Sequence, residues 1–557
     1  MPSPQEIEAQ LTGPGGPFEI VDEQVLGERM RVFRARLASL REMLSASAAH
    51  GDKEYLVYGE RRITFAQHLD QVAHLARALR ERYGVRAGDR VAILAANCPE
   101  WILAFWATTS LGAVLAGLNG WWAEDEIRYG IDDSEPRVLI GDRRRLARLG
   151  SGDPGVPVIE VESDFEKLIR ADAPVDLPDE PINEDDAACI LYTSGTTGRP
   201  KGAVLAHRAI LGCVQLQTLN AVRGMMVAAA AGLRPSAPPR PPCQLLTTPL
   251  FHVSGLFTGA AMMLSAGARL VLRGGRFDAE DVMRLIEREQ VTSWTAMGPM
   301  AHRVLEHPRR EDYDLSSLTN LGSGGAPMSD ELQQQLRETF PTAGTNMGLG
   351  YGLTESGALA TIAFGAELAA HPKSVGRPLP TIEVEIRDPA GQRLPEGRGG
   401  EIYVRSPILM REYWRKPEAT REAILPGRWL RTGDFGRLED GRLYINARAR
   451  DLILRGAENI YPVEIEHRLE AHPAVAEAAV VGVEHRELGQ EVKAIVVPRA
   501  GQPPSEDALA RWVGEKLASF KVPAHWELRD EPLPRNAAGK VMKQVLLGES
   551  DNPFIDE

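Results

Sequence analysis

A polyphosphate needs close backbone approach, hydroxyl donors and a compact positive charge, and the run Tyr192 to Ala203, YTSGTTGRPKGA, supplies all three. Thr193, Ser194, Thr196 and Thr197 carry the hydroxyls, Gly195 and Gly198 keep the chain slim, and Lys201 carries the charge. It is not a Walker A loop, which needs GK followed by Ser or Thr, whereas Gly202 follows Lys201 here. The apolar run Ala187 to Tyr192 reads as a buried strand and Ala209 to Leu219 as a helix, so the phosphate run is expected on a strand-to-helix turn.

Further chemistry-bearing runs follow in order: GSGGAP (Gly322 to Pro327), GYGLTE (Gly350 to Glu355), RTGD (Arg431 to Asp434), ARARD (Ala447 to Asp451) and PRNAAGKVMK (Pro534 to Lys543). Each alone is weak; TGD reads equally as a capped turn, and a lysine near a terminus is usually solvated. Together they resemble the adenylate-forming superfamily, which includes acyl-CoA synthetases, aryl-CoA ligases, peptide-synthetase adenylation domains and firefly luciferase. The resemblance runs from about residue 50 to about 545 and is closest in look to bacterial fatty acyl-CoA synthetases.

The resemblance implies a role for each motif. Gly324, Gly325, Ala326 and Pro327 would wall the adenine slot, with Tyr351 stacking on the base between Gly350 and Gly352. Thr354 would contact the α-phosphate and Glu355 would hold Mg²⁺ as a hard oxygen ligand. Asp434 would accept the ribose hydroxyls, Arg448 would reach the ribose as well, and Arg450 would be the hinge of the C-terminal domain. Lys540 would bridge the carboxylate and the α-phosphate. Gly456 and Ala457 would line the CoA tunnel, Ala457 standing where the family often has a second glycine. ATP, Mg²⁺ and CoA are the implied cofactor and co-substrates.

PLFHVSG, Pro249 to Gly255, speaks to the acid activated, because amino-acid-activating relatives have an aspartate where this chain has His252. An ammonium group buried there would lack its carboxylate partner, which argues against an α-amino acid. The implied acyl pocket comprises Val253, Leu256, Met297, Gly298, Met347 and Gly348, all apolar or small. A Met-lined slot suits an alkyl chain and would also take an aromatic or alicyclic acid. The expected reaction is AMP-forming activation of a carboxylic acid, foremost a medium- or long-chain fatty acid, to acyl-AMP and then acyl-CoA. The alternatives are an aromatic or alicyclic acid-CoA ligase and an acyl-AMP ligase serving a carrier protein.

These motifs must be positioned by a chain of 557 residues, longer than one hydrophobic core usually spans, so at least two domains are expected. Alternating strands and helices between 50 and 185, including the strand Arg90 to Ala95 and the helix Glu124 to Ile131, predict α/β architecture. The expected fold is a large N-terminal domain over 1–446, mixed sheets layered with helices, plus a small mobile α+β C-terminal domain over 447–557. In the latter, helices are read at Pro462 to Ala471 and Ser505 to Phe520, and strands at Ala476 to Gly482 and Val492 to Pro498. Val25 to Leu44 reads as an amphipathic helix, solvated or in weak contact with a membrane surface, and the proline-dense stretch 223–243 reads as a long loop. A homodimer stays open.

A net charge of −13, from 64 basic and 77 acidic residues, disfavours a general nucleic-acid binder. Cys98, Cys189, Cys213 and Cys243 have no CxxC spacing, which points away from a zinc site or disulfide framework and towards a reducing cytoplasm. The N-terminus lacks the pattern of a signal peptide, and the most apolar stretch, Trp101 to Leu118, reads as a buried helix.

Overall fold

The computed structural model describes residues 2–150, 152–170, 175–193, 199–232, 240–296, 298–324, 328–448, 451–455, 458–486, 488–499, 503–536 and 539–548. Its large N-terminal domain holds a seven-stranded and a nine-stranded sheet layered with helices, and a smaller five-stranded sheet follows; a separate five-stranded sheet forms the small C-terminal domain. The fold is therefore the expected α/β arrangement of mixed sheets plus an α+β unit.

Helix α1, Pro4–Thr12, opens the chain. Ser3 caps it reciprocally, accepting from the Glu6 N–H at 3.2 Å while its own N–H donates to Glu6 Oε2 at 2.7 Å. Proline at the first helical position costs no hydrogen bond. Ile7 and Leu11 anchor the helix in the main core.

The segment expected as a helix over Val25 to Leu44 is instead a two-stranded hairpin, Ile20–Val25 with Glu28–Phe33, followed by a short helix, Leu40–Ala46. Leu26 and Gly27 both have positive φ, 49° and 91°, which makes a two-residue turn whose twist suits a hairpin. Below the hairpin Arg36 bonds Glu23 and Glu184, tying it to the domain.

Strand β1, Ala187–Thr193, and strand β2, Lys201–Ala206, are antiparallel neighbours, with Lys201 opposite Thr193 in register. The phosphate run thus links two strands rather than a strand and a helix. The alternative prevailed because GAVLA is itself a strand, buried along its whole length. Helix α2, His207–Ala230, comes only after it. Its buried residues end at Leu219, yet the helix continues through MMVAAA, whose strong helix formers carry it into the stretch read as a loop. Residues 233–239, at the heart of the proline-rich stretch, lie outside the described residues.

Strand β3, Asn320–Gly324, and strand β4, Met347–Tyr351, are parallel neighbours near one side of the nine-stranded sheet. Strand β5, Glu412–Tyr413, adds to the edge of the seven-stranded sheet beside β2. Strands β6, Trp429–Glu439, and β7, Arg442–Arg448, form an antiparallel pair. Helix α3, Pro462–Glu470, packs on the C-terminal sheet, whose long strands are Val475–His485 and Gly489–Pro498. The helix expected to Phe520 stops at Gly514. The helix Pro99–Ser110 is wholly buried, with Trp101 and Trp106 at its centre. Among the described residues no helix is long and apolar enough to cross a membrane, and all four cysteines are buried free thiols.

Candidate active site

One cavity of about 3440 Å³ gathers Thr193, Lys201, His252, Gly324, Gly350, Gly352, Thr354, Glu355 and Asp434, drawn from three sheets and their loops, together with Lys540 of the small domain, although they span most of the chain. The β1–β2 pairing explains the phosphate end: it places Thr193 and Lys201 opposite each other. Ser194, Gly195, Thr196, Thr197 and Gly198 lie outside the described residues, as do Gly325, Ala326 and Pro327 of the second motif.

Glu355 is the anchor of this end. The Thr193 hydroxyl donates to Glu355 Oε1 at 3.0 Å, and the Tyr413 hydroxyl donates to the same oxygen at 2.8 Å. Burial, reinforced by the Glu355 charge, holds the Tyr413 hydroxyl well above its ordinary range, so it stays a donor. The same tyrosine ring lies beneath Lys201, whose Nζ sits 5.2 Å from its centroid. Nothing in the spacing of REYW singles out Tyr413; only the pairing of β5 with β2, Tyr413 opposite Ala203, delivers it.

A second hydrogen bond couples two motifs that are 83 residues apart. The buried Tyr351 hydroxyl donates to Asp434 Oδ2 at 2.8 Å. The Asp434 N–H donates to Thr432 Oγ1 at 3.1 Å across Gly433, whose φ of 70° belongs to a bulge within β6. Asp434 is also the register partner of Arg448. Tyr351 itself is 7% exposed and stands behind the cavity wall formed by Gly350 and Gly352. Gly352 has no room for a side chain, since a Cβ there would meet the Ala358 carbonyl oxygen at 2.1 Å.

His252 opens a short helical turn after β-type backbone, and its enclosed Nε2 has no hydrogen-bond partner. Burial, and then the charge of Lys540, push its pKa down to about 4, so the ring is neutral over the physiological range. An orphaned neutral nitrogen in a cavity wall suits a polar atom of a ligand rather than a structural partner. Lys540 is held by a closed turn in which its N–H donates to Asn536 Oδ1 at 3.0 Å and its carbonyl accepts from the Asn536 N–H at 2.9 Å.

Val253 and Gly348 of the expected acyl pocket lie in the cavity wall. Leu256 and Met347 do not: both point into packed cores, at 0% and 1% exposure. Met297, Arg450, Gly456 and Ala457 lie outside the described residues, and Gly298 begins a helix. Trp121 and Trp122, in the cavity wall as well, pack edge-on against Phe251 and Tyr192.

Among the described residues no cluster of three or more His, Cys, Asp or Glu could cage a metal. Magnesium is usually held through one or two carboxylates, with the remaining positions taken by phosphate oxygens and water. Both hydroxyls bond Oε1 of Glu355.

Residues 44–414 match the AMP-binding enzyme family, and residues 464–540 match the AMP-binding enzyme C-terminal domain. The chain belongs to the AMP-binding enzyme family. This ligase is 34% identical over 491 residues to a feruloyl-CoA synthase of an Amycolatopsis species, a match covering 87% of this chain and 94% of that protein. It is 32% identical over 508 residues to a long-chain-fatty-acid–CoA ligase of Mycobacterium tuberculosis, covering 87% and 92%. Among solved structures, the o-succinylbenzoate CoA synthetase of Bacillus subtilis in complex with its acyl-adenylate intermediate matches with a TM-score of 0.75 and 30% identity, over 92% of this chain and 98% of that one. The protein is an AMP-forming acid–CoA ligase that uses ATP and CoA, and Mg²⁺ is general for its family.

With Lys540 in the cavity wall, the small domain of the ligase also presses Glu470, at the end of α3, towards the large domain. The two domains enclose a cavity of about 390 Å³ there, lined by Leu305, Glu331 and Gln335 on one side and Glu470, His472 and Arg499 on the other. Burial and then the Glu466 charge push the Glu470 carboxyl up to about 8; Glu477 and Glu331 add to the rise and Arg535 opposes it. An acid whose docked pKa exceeds its free value takes up a proton on docking. Glu466, Glu477 and Arg535 belong to the small domain itself, so the part of the rise that docking adds comes from Glu331 and from burial against the large domain; that part favours docking below the ordinary carboxylate range and is lost as pH rises through about 8. Adenylate formation by the wild type is expected to fall over that window. Glu470→Gln should flatten the alkaline limb in a pH series of pyrophosphate release, and an unchanged limb would rule Glu470 out as its source.

Proposed function

We propose that the enzyme activates medium- or long-chain fatty acids. The acid carboxylate attacks the α-phosphorus of ATP, the bond to pyrophosphate breaks, and acyl-AMP forms; the CoA thiolate then attacks the acyl carbon and AMP leaves with the bonding electrons. The observation that carries the substrate class is the length of the cavity. The cavity that holds His252 is also lined by α2 residues from Gln217 to Ala228, a stretch of about 16 Å at 1.5 Å per residue. Val253, Met262 and Met263 line it as well, a flexible apolar surface suited to an alkyl chain.

In this reading Lys540 supplies positive charge between the carboxylate and the α-phosphate, and Lys201 and Thr193 attend the leaving phosphates. Thr354 contacts the α-phosphate. Asp434, oriented by Tyr351, accepts the ribose hydroxyls beside Arg448. Glu355 would hold Mg²⁺, which neutralises phosphate charge when bound. Neutral His252 offers its enclosed nitrogen to the acyl carboxylate region and leaves no negative partner for an α-ammonium group. The buried thiols accord with a cytoplasmic enzyme.

Pyrophosphate release with a panel of acids tests the reading. Each buried methylene contributes up to about 0.8 kcal/mol, so kcat/KM should climb by up to about fourfold per carbon until the channel is filled. An aromatic acid such as ferulate outperforming every fatty acid by about tenfold would replace this reading with the aryl one.

A further inference from the structure

Helix α1 borders the active-site cavity although the chemistry does not use it. In helix α1 Ile7 and Leu11 sink into the core, while Glu8, half-buried, and the exposed Pro4 and Gln5 border the same cavity that holds His252 and Lys540. Across from them lies the distal half of α2, beyond Leu219, where no residue is buried. The two helices are joined there by an ion pair between Glu8 and Arg223, and Arg223 also donates to Asn220 Oδ1 at 2.6 Å. Both partners are partly shielded, with side-chain exposures of 21% for Arg223 and 35% for Glu8, and both stand in the cavity wall.

We propose that α1 is the end wall of the acyl channel and that the Glu8–Arg223 pair latches it, setting the longest chain the enzyme accepts. The inference rests on the fatty-acid reading above. A chain shorter than the channel gains from every methylene it buries. A chain that is longer must part the helices, separate the two charges and leave a guanidinium group against hydrocarbon, which is strongly disfavoured. Selectivity should rise with length and then drop, and the position of the drop belongs to Glu8 and Arg223 rather than to the catalytic groups.

The test measures kcat/KM for a series of saturated acids, with the KM for ATP, in the wild type, in Glu8→Lys, in Arg223→Glu and in the double exchange. Each single variant should move the cut-off by two or more carbons towards longer acids, raising kcat/KM for the first rejected acid by about tenfold. The KM for ATP should hold its wild-type value, and the double exchange should restore the wild-type cut-off. Ala221→Trp, which narrows the channel without touching the pair, should move the cut-off to shorter acids and serves if a charge variant does not fold. Single variants that are folded and keep the wild-type cut-off would overturn the latch while leaving the fatty-acid reading intact. A wild type that turns over no alkyl acid would overturn that reading and the latch with it.

Discussion

Replacing Lys540 with alanine is expected to slow acyl-adenylate formation by about 10² to 10³, the usual cost of removing one preorganised charge or donor from a transition state. Conversion of supplied acyl-AMP and CoA to the thioester should change by no more than a few-fold, because no phosphate bond to pyrophosphate breaks in that step. The structure explains why one side chain can matter so much. Lys540 sits at the tip of a short ladder, Arg535 opposite Val541, in which Gly539 takes a φ of 74° and donates its N–H to the Asn536 carbonyl at 2.8 Å. Arg535 fastens that ladder to the sheet through Glu477 at 2.6 Å. The ammonium group is thus presented by a braced turn, with little rearrangement left for the moment of reaction. The alanine variant keeps every backbone bond of the turn, so its folding should be unaffected. Rapid-quench measurement of acyl-AMP and acyl-CoA separates the two half-reactions, and equal losses in both would remove Lys540 from the adenylation step.

How much of this could be read from the chain alone depended on whether a motif works locally or through partners. The phosphate run, RTGD and the lysine segment are short, and their glycines, hydroxyls and charges signal a turn wherever they stand. Thr193, Lys201, Asp434 and Lys540 of these runs line one cavity. The topology around them was less legible. KGAVLA following a glycine-rich loop gives no local sign that it will pair back on Ala187–Thr193, because β pairing is decided by a neighbour that the local pattern does not contain. Val25 to Leu44 departs from its pattern for a related reason: arginines spaced among apolar residues fit a helix, but the Leu26–Gly27 turn reverses the chain. Leu256 and Met347 are apolar residues beside true cavity walls, and apolar type alone does not say which side of an element faces a ligand. Tyr413 and the Glu8–Arg223 pair lay beyond reach altogether, since each joins elements separated by about 200 residues or by a strand pairing that no spacing encodes.

Glu355→Gln is the second large effect. Glutamine keeps the size of the side chain and a carbonyl oxygen that can still accept from the Thr193 and Tyr413 hydroxyls, so the geometry of the two bonds at 3.0 and 2.8 Å can survive. What disappears is the negative charge. A magnesium ion held by Glu355, as proposed above, would lose its anchor, and the pair of hydroxyls goes from charge-assisted bonds to weaker neutral ones. Adenylate formation should fall by at least about 10², with the Mg²⁺ concentration needed for half-maximal rate rising in parallel. Tyr413→Phe supplies the contrast. It removes one of the two bonds to Oε1 and leaves the carboxylate charged, so a loss of about tenfold is expected with little change in the Mg²⁺ requirement. The two variants therefore divide holding the carboxylate in place from using its charge. Titrating Mg²⁺ against the rate of pyrophosphate release in both variants reads that division directly. Wild-type magnesium dependence in Glu355→Gln would mean that the cation is held elsewhere, and that the Thr193–Glu355–Tyr413 cluster serves only to join β1 to β5 beneath the phosphate loop.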